Sequence, residues 1–126
     1  MYYNYNNVDF KDLEGKTITS IDKRDDELDI NTSDGKSYRM YHRQDCCESV
    51  YIEDVIGDLD DLIDSPITMA EEVTEEFQGG YDSGTWTFYK LATNKGYVTL
   101  RWLGTSNGYY SERVDFVELT DEEDMF

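Results

Sequence analysis

The sequence is short of the residues from which most compact sites are built. Proline and histidine occur once each and cysteine twice, and 11 Lys and Arg stand against 29 Asp and Glu in 126 residues, a formal net charge of −18. So anionic a body is repelled by nucleic-acid backbones and by anionic lipid, and neither is expected as a direct partner. No apolar run approaches the roughly 18 residues that cross a bilayer, and MYYNYNNVDF lacks the basic start and apolar stretch of a secretory signal. A soluble, intracellular protein is the expectation. Also missing are a Gly-rich phosphate loop, a Gly-x-Ser-x-Gly elbow and an Asp-x-Asp-x-Asp-Gly calcium loop, since Asp58-Leu59-Asp60-Asp61-Leu62 breaks the required alternation of ligands. With its only His set beside the cysteines, the chain is not expected to be an enzyme.

What remains is enough to fold. Hydrophobic residues make up 38% and aromatics 14%, including 11 Tyr, which acidic disordered tails lack. One domain over 1–126 is expected. The excess charge is local: 12 carboxylates and no Lys or Arg fall between Asp45 and Glu76, and five more between Glu118 and Phe126. The natural partner is a basic protein surface. Tyr2, Tyr3, Tyr5, Tyr81, Tyr109 and Tyr110 fall in loops or beside turns, where they serve either an interface or the cap of a small core.

Along the chain, residues 1–12 read as a loose lead-in and 120–126 as a frayed acidic tail. A β-prone run Thr17–Ile21, a charged turn at Asp22–Asp26 and alternating Leu28 and Ile30 lead to Asp34-Gly35, a strong hairpin signal with a returning strand Lys36–His42. Ile52, Val55, Ile56, Leu59, Leu62 and Ile63 recur at spacings of three and four, which predicts a principal acidic amphipathic helix from Ile52 to Ile63, ended by Ser65-Pro66. Gly57 weakens that helix, so a strand at Val50–Ile52 with a shorter helix is the alternative. Ile67–Phe77 suits either an edge strand or a short helix. Three strands then follow, Thr85–Thr93, Tyr97–Leu103 and Tyr109–Leu119, as an antiparallel meander with Trp86, Phe88, Val98, Leu100, Trp102, Val114 and Phe116 for its buried face. The expected fold is α+β, a mainly antiparallel sheet of five to seven strands with that one helix.

The one cluster with metal-ligand chemistry is Tyr41-His42-Arg43-Gln44-Asp45-Cys46-Cys47-Glu48. Thiolate and imidazole are preferred ligands of Zn²⁺, so His42, Cys46 and Cys47 are candidate ligands of a structural zinc, with Asp45, Glu48 or water as the fourth. Adjacent cysteines depart from the usual Cys-x-x-Cys spacing. The plainer alternative buries Cys46 and Cys47 as small residues at the start of the helix, and a vicinal disulfide is disfavoured inside a cell. Glu53, Asp54, Asp58, Asp60 and Asp61 ring the polar side of the expected helix, and they are the candidate partner-binding residues.

The block Tyr-His-x-Gln-Asp-Cys-Cys-Glu-Ser-Val-x-Ile-Glu-Asp, with Gly57-Asp58-Leu59, Asp61-Leu62-Ile63, Ser65-Pro66-Ile67 and Ala70-Glu71-Glu72, resembles a family of small acidic phage and prophage proteins of unknown function. The likeness runs from about Leu13 to Leu119. Such proteins also look like phage anti-CRISPR proteins. That resemblance implies an inhibitor in the host bacterial cytoplasm that binds a basic surface of an RNA-guided type II effector nuclease and stops target DNA loading or cleavage. The alternative is a metal-stabilised accessory or structural phage protein with no defence target.

Overall fold

A computed structural model describes residues 3–79 and 82–121. It contains nine strands in two antiparallel sheets: β1 (Tyr3–Asn7), β2 (Ile18–Lys23), β3 (Glu27–Thr32), β4 (Ser37–Tyr41), β5 (Ser49–Ile56), β6 (Met69–Gly79), β7 (Asp82–Thr93), β8 (Gly96–Ser106) and β9 (Asp115–Asp121). The first sheet has the order β1-β9-β4-β3-β2 and the second β5-β8-β7-β6. The only helical pieces among the described residues are two single 3-10 turns, Phe10–Leu13 and Leu59–Leu62.

The expected α+β fold is therefore corrected to an all-β one, and the principal helix from Ile52 to Ile63 is not formed. Its apolar residues reach the core by another route. Val50 and Ile52 point inward from β5 at the strand period of two. A bulge between Ile52 and Asp54 then shifts the register against β8, and Leu62 is buried from the second 3-10 turn. Gly57 separates the two pieces at φ 107, outside the right-handed helical region, so no helix runs through it, and a Cβ there would meet the carbonyl oxygen of Tyr97. Val, Ile and Tyr in this stretch favour the pleated alternative.

The hairpin at Asp34-Gly35 forms between β3 and β4, with Gly35 at φ 85 and Asn31 opposite Ser37. The turn at Asn94-Lys95 joins β7 and β8 as expected. The third strand of the expected meander is corrected. After β8 the chain does not turn back on itself. It crosses between sheets through 107–114 and enters the first sheet as β9, between β4 and β1. The neighbours of β7 and β8 are instead β6 and β5.

The lead-in also contributes structure: β1 pairs with β9 from Tyr3 opposite Asp121 to Asn7 opposite Val117, and Phe10 and Leu13 are buried. Of the expected tail, Thr120 and Asp121 belong to β9, and 122–126 lie outside the described residues.

Both sheets share one core. Leu28, Ile30, Tyr38, Met40 and Phe116 come from the first, and Ile52, Tyr89, Leu91, Leu100 and Trp102 from the second. Phe10 sits between them, its ring 4.6 Å from that of Tyr89 and 5.3 Å from that of Phe116. On β8 and beyond, Val98, Leu100, Trp102, Val114 and Phe116 are buried as expected. On β7 the face is reversed: Thr87, Tyr89 and Leu91 point inward, while Trp86 and Phe88 are half-buried on the outer face. Lys90 shares their parity and could not follow them into an apolar core, which fixes the choice.

Candidate functional site

Two features stand at one end of the molecule, a turn that carries the chain out of the first sheet and a groove on the second. The turn begins where β4 ends. His42 Nε2 lies 2.7 Å from Glu48 Oε2, and its Nδ1 lies 2.7 Å from the carbonyl oxygen of Arg113. Glu48 also accepts the backbone N–H groups of Asp45 (3.0 Å) and Cys46 (2.9 Å). The His42 hydrogen bond and these N–H groups bring the Glu48 carboxyl down to about 2, against the opposing pull of desolvation. Both ring nitrogens of His42 are thus engaged, one by the Glu48 carboxylate and one by the Arg113 carbonyl. The two side chains are 3% and 0% exposed. Their work is architectural: they tie the turn 42–48 to the crossover 107–114.

The proposed zinc ligands are not gathered around one point. His42 has both nitrogens engaged, and Cys46 and Cys47 are joined to each other in a vicinal disulfide. Among the described residues no group of three or more His, Cys, Asp or Glu is placed to hold a metal. Zinc needs thiolates and a free imidazole lone pair, so the donor set in this arrangement does not fit the ion. The plainer alternative fails as well, because Cys46 and Cys47 are exposed on a turn rather than buried at a helix start.

The five carboxylates expected on one helix face are dispersed by the strand and the 3-10 turn. Glu53 and Asp54 sit at the β5 bulge and share Arg101, at 2.6 and 3.6 Å. Asp58 caps the 3-10 turn by accepting the N–H of Asp60 at 3.0 Å. The carboxylate of Asp61 lies against Gly96, where a Cβ would meet it at 2.6 Å. Asp60 is exposed. The structure does not set these residues on one helix face.

It brings others together. β6 carries Glu71, Glu72, Glu75 and Glu76, all exposed, and none of the ion pairs among the described residues reaches them. Residues 72, 74, 76 and 78 share the inner face with Ala70, but beyond Tyr89 no apolar core lies beneath them. In its place is a groove of about 860 Å³ between the β6–β7 hairpin and the crossover 107–114. Its walls carry Glu72, Glu76, Thr85, Glu112 and Tyr110, with Arg113 the one basic residue among them. Tyr89 donates its hydroxyl to Glu72 at 2.7 Å, and burial pushes that phenol well above its ordinary range.

Burial alone would raise the Glu112 carboxyl, but hydroxyls of Ser106, Ser83 and Thr85 donate to it and hold it below its ordinary value. The groove is thus an anionic, hydroxyl-rich surface suited to cationic groups. Its residues went unnoticed in the sequence because 67–77 had no settled period, although a strand reading of Glu71-Glu72-Val73-Thr74-Glu75-Glu76 places acids on both faces. Tyr109 is 83% exposed and Tyr110 packs edge-on against it at 5.0 Å, while Tyr2 and Tyr81 lie outside the described residues.

The chain matches the model of one family, described as "Domain of unknown function (DUF7448)", over residues 11–116. It belongs to that family. Searches of curated proteins and of solved structures each found no match. Among the described residues no helix is long and apolar enough to cross a membrane.

Proposed function

We propose that this protein is a binding protein that docks the acidic β6 side of its second sheet on a basic protein surface. The observation that carries the proposal is the distribution of counter-charge: Glu71, Glu72, Glu75 and Glu76 stand exposed along one strand with no ion pair among the described residues. Like charges in a row repel one another and cost the free protein stability, and a basic partner relieves that cost. Within this proposal the partner is an RNA-guided type II effector nuclease, whose positively charged nucleic-acid channel the acidic face occupies, so that the protein acts as a phage anti-CRISPR inhibitor in the host cytoplasm. That narrower half is supported by the resemblance carried on Asp45-Cys46-Cys47-Glu48 and its flanks.

The test is binding to purified guide-loaded effector, together with inhibition of target cleavage, at low and raised salt. Binding should weaken steeply as salt rises. Reversing Glu71, Glu72, Glu75 and Glu76 to Lys should abolish it, and reversing Asp54, Asp58 and Asp61 should do less. No binding to any type II effector removes the nuclease, and full binding by the β6 variant removes the acidic face.

A further inference from the structure

We infer that the free edge of β6 takes an added strand, an extended partner segment in which basic and apolar residues alternate. The inference rests on the proposed function only for the sign of the partner's charge.

β6 pairs with β7 without a register shift from Met69 opposite Ala92 to Gly79 opposite Asp82. At Ala70 the backbone N–H points away from β7 and donates to Glu14 Oε2 at 3.2 Å. In an antiparallel ladder each residue sends its N–H and C=O to the same side, and the side alternates with period two. Glu72, Thr74 and Glu76 therefore also direct their N–H and C=O groups off the sheet. No hydrogen bond among the described residues takes these groups up, and β6 is the last strand in its sheet. The stretch after Phe10–Leu13 covers the edge as far as Ala70, and the edge is open beyond it.

An open edge of this length is a template for pairing, and proteins guard such edges with charge. Here the guard is selective. Glu71, Glu72, Glu75 and Glu76 would face their own copies in a self-paired dimer, which like charge opposes, yet they attract a strand bearing Lys or Arg. The two faces then set the pattern of that strand. Side chains on its inner face would lie beside Glu72 and Glu76 over the anionic groove. Those on its outer face would lie beside Val73 and Phe77, which are 41% and 38% exposed, with Phe77 stacked on Trp86 at 6.0 Å. Main-chain bonds supply the affinity in this mode and alternate side chains the selectivity.

The experiment uses the full chain and a synthetic peptide alternating lysine and valine, about eight residues to match one strand. A second peptide of the same sequence carries N-methyl groups on alternate amides, so its charge is unchanged. Thr74→Pro removes one edge N–H and leaves every carboxylate in place, a change that sheet edges tolerate. The N-methylated peptide and Thr74→Pro should each weaken binding by roughly tenfold or more. The amides of Glu72, Thr74 and Glu76 should gain hydrogen-exchange protection with the unmodified peptide. If the variant melts early, the N-methylated peptide on the parent protein decides.

Equal binding of the two peptides, no binding of the first, or no protection at those amides overturns the added strand. Where the two bind equally and Glu72→Lys with Glu76→Lys still abolishes salt-sensitive binding, the acidic docking face survives without the strand. Where those reversals change nothing, both fail.

Discussion

The two sheets handle the same excess of acid in opposite ways. On the first, Arg39 grips Asp29 with two bonds, at 2.8 and 3.0 Å, and Arg24 reaches Asp22, Glu27 and Asp29 within 3.0 Å. Asp29 is held below its ordinary range by these two guanidiniums despite its partial burial. Lys16 pairs with Asp34 and Lys36 with Glu118. On the second sheet, among the described residues, Arg101 alone forms ion pairs, and it serves β5 rather than β6. The net charge of −18 therefore says little until it is divided: one sheet spends its acids on holding itself together, and the other leaves a strand of them unspent.

The largest effect expected is at the residue that both sheets enclose. Trp102→Ala should cost about 3 to 5 kcal/mol, a loss read by denaturant or thermal unfolding, because a fully buried aromatic leaves a cavity that the core fills only in part. Trp102→Phe should cost much less, since the indole N–H has no hydrogen-bond partner among the described residues and its loss orphans nothing.

Next in size is the contrast itself. Arg39→Ala should lower stability by about 1.5 kcal/mol, the low end for hydrogen bonds to a charged group, because both partners keep some solvent contact. Glu75→Lys with Glu76→Lys should leave the stability unchanged or raise it slightly, by less than about 1 kcal/mol. A fall in stability from the β6 pair as large as that from Arg39 would mean the two sheets do not differ in the way described.

A further effect is a matter of acidity. Glu48 has an ordinary value of 4.5 and is held at about 2 in the folded protein, so it binds a proton more readily when unfolded. Its contribution is present above its unfolded value and is lost as pH falls from about 4.5 toward 2. Falling pH also relieves the general repulsion, so the quantity to measure is the difference between the parent and Glu48→Gln. That difference should shrink as pH falls below about 5. A difference independent of pH would sink the assignment of an ionised Glu48 paired with His42.

Local chemistry made part of this legible. Asp34-Gly35 and Asn94-Lys95-Gly96 are turns whose residues tolerate the backbone they need, and β8 declares its inner face through Val98, Leu100 and Trp102. Elsewhere two patterns competed in the same residues. Ile52 to Ile63 fits a helical spacing, yet half of it is a bulged strand and half a 3-10 turn, and Gly57 was the residue that separated them. Trp86 and Phe88 compete with Tyr89 and Leu91 for the inside of β7, and Lys90 held the answer. The path of 107–114 from one sheet to the other depends on contacts such as His42 with Arg113, far apart in sequence, that no local pattern announces. The candidate site was visible as a concentration of acid but not as an edge, because an edge is a property of the whole sheet.

The placement of β9 bears on the order in which the chain becomes a protein. It lies between β1 and β4, with Tyr3 opposite Asp121 and Tyr41 opposite Asp115. Everything from His42 to Val114 is threaded between two neighbouring strands of one sheet. During synthesis β1 is made first and has no neighbour, and β4 keeps an open flank, until residue 121 has left the ribosome. In the second sheet β6, β7 and β8 are joined by hairpins and are all made by Ser106, so the strand offered for binding has its neighbours before β9 exists, while the core that both sheets share still waits for the first sheet to close.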